Sequence, residues 1–103
     1  MILITGGIVA RPETLDELSA LGRAHCARSR TEDGCGLHTM HIDADNPHRL
    51  VFIEHWRDKA AVLAHFADRD ARAFSKAVIR LAAAPPTLEI YEASEIGIKG
   101  LAG

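Results

Sequence analysis

Leu50-Val51-Phe52-Ile53 is apolar at four consecutive positions, and the chain then passes through Glu54-His55-Trp56 into Asp58-Lys59-Ala60-Ala61-Val62-Leu63-Ala64-His65-Phe66. A strand with one face in water alternates apolar and polar residues. An unbroken apolar run belongs to a strand covered on both faces. The fold must therefore supply cover on two sides of one sheet. Asp58 is placed to cap a helix, because its short side chain accepts from the free N–H groups of the first turn. Ala60 to Phe66 reads as that helix. Residues i and i+2 of a strand share a face, so Phe52, Glu54 and Trp56 point the same way. If the helix covers that face, an acid, an indole and the His65 imidazole converge.

The remaining segments fall into place around this stretch. Ile2 to Ala10 is a strand candidate, closed by Arg11-Pro12. Thr14-Leu15-Asp16-Glu17 has the form of a capping box, and a helix is expected from there to about Arg30. Leu15, Leu18, Gly22 and Cys26 follow helical spacing, and Gly34 is a natural stop. Cys35 to Asp43 is a second strand, Ala44-Asp45-Asn46-Pro47 a turn, and Arg49 to Trp56 a third strand. Asp68-Arg69-Asp70 breaks the second helix after Ala67. Ala71 to about Ala83 continues it, with Phe74, Val78, Leu81 and Ala82 as its apolar stripe, until Pro85-Pro86 ends it. Thr87 to Ala93 is a fourth strand. The order is β-α-β-β-α-β, the α+β, ferredoxin-like split pattern with an antiparallel sheet. Residues 1–94 are expected to form one domain. Residues 95–103, with three glycines, form a C-terminal tail that is either mobile or laid on a partner subunit.

The chain has 103 residues, enough for one domain. A domain of this size gains by burying a sheet face against a second copy. Twelve basic and 14 acidic residues leave a net charge of −2, and no basic patch stands out, so a nucleic-acid partner is not expected. No apolar run reaches the ~18–20 residues of a membrane span. The N-terminus has no basic region, and Thr5-Gly6-Gly7 interrupts its apolar stretch, so a signal peptide is not expected. With that, the two cysteines read as reduced thiols and the cytoplasm as the compartment.

Several side chains are candidates for chemistry. His65, on a helix facing a sheet, is either a general base near neutral pH or an imidazole satisfied by a backbone carbonyl. Trp56 can stack on a flat aromatic substrate or serve as a core aromatic. Glu54 either orients His65 or bonds backbone groups beneath a pocket, and the second role is preferred. Phe52 forms an apolar wall, and Phe66 completes that wall or joins the core. If the hairpin pairs symmetrically, His38 lies near Glu54 and enters the pocket; a slip of one residue substitutes His41. His38 and His41 cannot hold one ion together, because i and i+3 of a strand face opposite sides. No metal site is expected, and His25 is placed at the surface. A nucleophilic role for Cys26 or Cys35 would need a cationic neighbour and is not expected. Thr5-Gly6-Gly7 is not a dinucleotide turn, since G-x-G-x-x-G is absent and no helix follows directly.

Glu54-x-Trp56, the Ala64-His65-Phe66 that follows, and Glu32-Asp33-Gly34-Cys35 upstream (with Asp33 where Pro is usual) resemble the antibiotic biosynthesis monooxygenase family of the dimeric α/β-barrel superfamily. Arg11-Pro12 resembles its passage from first strand to first helix, and the resemblance covers roughly residues 2–94. It implies a homodimer whose two sheets close into a barrel. It also implies oxidation of a small phenolic, quinol or anthrone-type substrate by O₂ without flavin or metal. His65 would be the base, and Trp56, Glu54, Phe52, Phe66 and His38 would surround the substrate. Two other readings use the same frame: an isomerase or processing enzyme for a small hydroxylated, phosphorylated signal, which needs a cationic anchor such as Arg49, Arg57 or Lys59, and a non-catalytic small-molecule-binding barrel. The haem-degrading branch is disfavoured, because the first strand has no Asn and Ser75 stands where its His is expected.

Overall fold

In the computed structural model, which describes residues 1–103, the elements run β1 (Ile2–Val9), α1 (Leu15–Ser29), β2 (Cys35–Asp43), β3 (Asn46–Trp56), α2 (Lys59–Ala67), α3 (Arg69–Leu81), β4 (Thr87–Glu92) and α4 (Gly97–Gly100). The expected ferredoxin-like α+β order is present, with its second helical segment split in two. The sheet order is β2-β3-β1-β4 and every neighbouring pair is antiparallel. β1 and β2 therefore run the same way with β3 inserted between them.

Alternation on the central strands sorts the sheet into two faces. Ile2, Ile4 and Ile8 of β1 and Leu50, Phe52, Glu54 and Trp56 of β3 are buried beneath the helices. Leu18, Cys26, Leu50, Phe52, Val78 and Leu81 form one cluster; Ile2, Ile4, Trp56, Ala61 and Val62 form a second under α2. The opposite face carries Leu3, Leu37, Val51 and Ile53, all only half-buried. The helix α1 lies close to the sheet at Gly22, where a Cβ would come within 2.6 Å of Met40 Sδ and 3.1 Å of Phe52 Cζ.

Local structure departs from expectation in four places. The hairpin turn is only Ala44-Asp45: Asp43 pairs with Asn46, and the Asp43 carboxylate accepts from Asp45 N at 2.8 Å. That side-chain bond closes the tight turn and extends β3 back to Asn46. Thr14 makes no capping box. Its hydroxyl accepts from Arg11 N at 3.0 Å and donates to Leu81 O at 2.7 Å, so it ties the start of α1 to the end of α3. Asp58 caps α2 as expected, accepting from Ala61 N at 2.9 Å. Asp68 then closes α2 and opens α3, accepting from Asp70 N and Ala71 N at 3.0 Å, so α3 begins at Arg69 rather than Ala71. It stops at Leu81 because Ala82 leaves the helix to bridge Ala10.

Candidate functional site

His65 projects from α2 toward the sheet and is 3% exposed. Its Nδ1 lies 3.0 and 3.1 Å from the two carboxylate oxygens of Glu32. A carboxylate only accepts, so Nδ1 carries the hydrogen, and in the neutral form of the ring Nε2 is the nitrogen that holds the lone pair. Glu32 arrives from the turn after α1. Its own N–H donates to Ser29 O, and Cys35 N donates back to Glu32 O. Gly34 completes the reversal at φ +85°, where a Cβ would lie 2.6 Å from Ala61 Cβ. The turn is thus pressed against α2 one helical turn before His65.

Beside His65 opens a cleft of about 260 Å³. Its floor is Gly6, Phe52 and Glu54, its walls are His25, Phe66, Phe74 and Val78, and its outer rim is Thr87 and Leu88 of β4. No Lys or Arg lines it. Arg49 pairs with Asp43, Arg57 with Asp33 and Asp58, and Lys59 with Glu92. Those three cations are spent on carboxylates at the surface.

Behind the cleft floor lies a polar knot. Glu54 accepts from Trp56 Nε1 at 2.8 Å. His38 Nε2 is 3.3 Å from Glu54 Oε1, but it is poorly aligned for a hydrogen bond and has no partner. The other His38 nitrogen, Nδ1, lies 3.2 Å from Cys26 Sγ. Burial pushes the Glu54 carboxyl up, and His38 and Trp56 more than offset it, so its pKa stays below the ordinary carboxylate value. His25 stacks on Phe74 at 4.1 Å and meets the rings of His38 and His65 at 5.0 and 5.3 Å. Burial, aided by those two rings, pushes the His25 pKa down to about 3, so it is neutral at physiological pH. Burial pushes the Cys26 thiol up to about 11 and raises Cys35 as well, which leaves both as protonated thiols.

Among the residues expected at a site, the structure brings Phe52, Glu54, His65 and Phe66 to the cleft. Phe66 is 41% exposed at the mouth. The hairpin register is the symmetric one, His38 opposite Glu54, and His41 is exposed. His38 is only 1% exposed and stands behind Glu54 instead of lining the cleft. Trp56 is also 1% exposed; its ring packs 4.6 Å from that of His65 and no free face remains for a substrate to stack on. Glu54 bonds the Trp56 indole, not backbone groups and not His65. His25 is not at the surface. Leu18, Gly22, His25, Cys26 and Ser29 make one buried helical stripe, and the spacing 18, 22, 25, 29 carried that signal. Glu32, the partner of His65, stands out in the sequence only as part of the Glu32-Asp33-Gly34-Cys35 segment. Its approach to His65 depends on how the turn packs, which periodicity does not encode.

The family model for antibiotic biosynthesis monooxygenases matches residues 1–77. An uncharacterised protein of Synechocystis sp. is 30% identical over 94 residues, 91% of this chain; the chain spans 64% of that curated relative's length. A protein of Deinococcus radiodurans, provisionally described as an antibiotic biosynthesis monooxygenase, superimposes with a TM-score of 0.88 at 27% identity, over 92% of this chain and 94% of that one. A Pseudomonas aeruginosa structure gives a TM-score of 0.82 at 28% identity over 91% and 94%.

Proposed function

Because the chain belongs to the antibiotic biosynthesis monooxygenase family, we propose that it oxidises a small phenolic, quinol or anthrone-type substrate with O₂ and without a bound cofactor. The observation that carries this reading is the Glu32–His65 pair on the wall of an apolar cleft. Glu32 fixes the imidazole with Nε2 as the free base. His65 then removes a proton from an acidic phenol or an activated carbon beside a carbonyl. The anion is electron-rich, and Phe52, Phe66 and Phe74 keep water from stabilising it. It reduces O₂ directly. For an anthrone-type CH₂ the balance closes without a reductant: CH₂ and O₂ give C=O and H₂O. A cleft of about 260 Å³ is just below the roughly 300–1,000 Å³ of common small-molecule sites, which suits a compact flat substrate. The absence of Lys and Arg from the lining speaks against a phosphorylated substrate.

The working unit is a homodimer joined through the sheet face that bears Leu3, Leu37, Val51 and Ile53. The exposed apolar tail residues Ile96, Ile98 and Leu101 are additional surface for the partner to cover.

Oxygen uptake by metal-stripped protein with a panel of quinols and anthrones, after subtraction of autoxidation, tests the reading. His65→Ala should lower the enzyme-dependent rate by roughly 10²–10⁴-fold, the usual worth of a general base. Uptake that persists unchanged in His65→Ala removes His65 from the mechanism. No uptake over the whole panel counts against oxidation itself.

A further inference from the structure

We propose that His25, His38 and His65 form a binding site for one divalent transition-metal ion of the Zn²⁺ class. The three side chains come from α1, β2 and α2 and are all buried. One ring nitrogen from each lies within 4.8 Å of the other two, and the ring centroids stand 5.0, 5.3 and 5.7 Å apart. Nitrogens held about 2.0–2.1 Å from a tetrahedral ion are roughly 3.3–3.5 Å from one another, so the widest pair needs to close by up to about 1.5 Å. Imidazole is a preferred ligand of Zn²⁺ and its neighbours in the first transition row.

Two further observations point to an ion. The first is His38 Nε2, a fully buried nitrogen with no hydrogen bond, 3.3 Å from a carboxylate oxygen of Glu54. A buried ring nitrogen left without a partner is unfavourable, and in the tautomer that frees its lone pair a cation between it and the carboxylate satisfies both. Glu54 is then available as a fourth ligand or as the acceptor of a metal-bound water. The second is that the remote nitrogens are already held. His65 Nδ1 is bonded to Glu32, and His38 Nδ1 lies on Cys26 Sγ. A carboxylate on the far nitrogen of a ligating histidine is the usual means of fixing its tautomer and orientation.

The inference stands on ligand geometry and does not depend on the oxidation reading. The two are linked at one atom: an ion on His65 Nε2 takes the lone pair that proton abstraction needs, so metal-bound and base-competent states exclude each other.

Titration of tag-free, metal-stripped protein with Co²⁺, followed by its visible d–d absorption, tests the site without any substrate. One equivalent should bind with the intense bands of four- or five-coordinate Co²⁺, and Zn²⁺ should displace it. His38→Gln and His25→Phe should each weaken binding at least tenfold, and Glu32→Gln should weaken it roughly 10–100-fold. His41→Ala, at the surface, should leave it unchanged. His25→Phe keeps a ring on Phe74, so it decides the matter should His38→Gln fail to fold. No visible band in the wild type, or stoichiometric binding that survives His25→Phe, overturns the proposal.

Discussion

His25 is buried against Phe74 and the rings of His38 and His65, and its neutrality has a thermodynamic signature. Its pKa falls from 6.5 to about 3 on folding. The unfolded chain therefore takes up a proton below pH 6.5 that the folded chain refuses. A depressed histidine pKa makes stability fall as pH drops, by about 1.4 kcal/mol per pH unit between the two values. In metal-free protein, urea midpoints taken from pH 7 to pH 5, above the carboxylate range, should decline. His25→Phe should flatten that decline. Equal slopes for the two proteins would show that His25 takes up its proton in the folded state. His25, expected at the surface, is buried because 18, 22, 25 and 29 form one helical stripe. Glu54 and His38 were legible as neighbours because strand register is periodic. For Trp56 the sequence left a stacking role and a core role both open, and the structure takes the core role, since burial depends on how tightly α2 closes over β3.

At the scale of elements, the turn from Thr31 to Gly34 matters beyond its length. It sets Glu32 against His65, and it does so with a left-handed glycine seated on Ala61. Gly34→Ala forces an L side chain into that conformation at about 1–2 kcal/mol, before any cost of moving Ala61. Gly97 is also left-handed, at φ +64°, but a Cβ there meets nothing within 4 Å. Gly97→Ala therefore reports the conformational strain alone. Urea midpoints should show Gly34→Ala to be the more damaging of the two; equal losses would mean that the turn is not seated against α2. Helix caps were partly readable from sequence. Asp58 behaves as its chemistry dictates, whereas Thr14, in a good local capping motif, spends its hydroxyl on Leu81 O. A local rule lost there to a tertiary partner that becomes visible only once α3 is docked.

At the scale of the whole molecule, Leu50 to Ile53 demanded cover on both faces, and the helices cover only one. Val51 and Ile53 remain half-buried on the other. Light scattering should find the wild type as a dimer, and Ile53→Lys should shift it toward monomer with its circular dichroism unchanged. A wild-type monomer at micromolar concentration would refute the paired-sheet assembly. The element order and the antiparallel sheet were legible because helix and strand periods differ. The cleft was not, since its outer rim is contributed by β4, some 20 residues of chain beyond His65. That rim has its own consequence. β4 is paired on one side only, and all six of its residues are exposed, so Leu88 stands at the mouth without bracing the interior. Substitutions at exposed positions rarely change stability by more than about 0.5 kcal/mol. The shape of the mouth can therefore be changed one rim residue at a time, by drift or by engineering, without disturbing His38 and Glu54 in the buried layer beneath it.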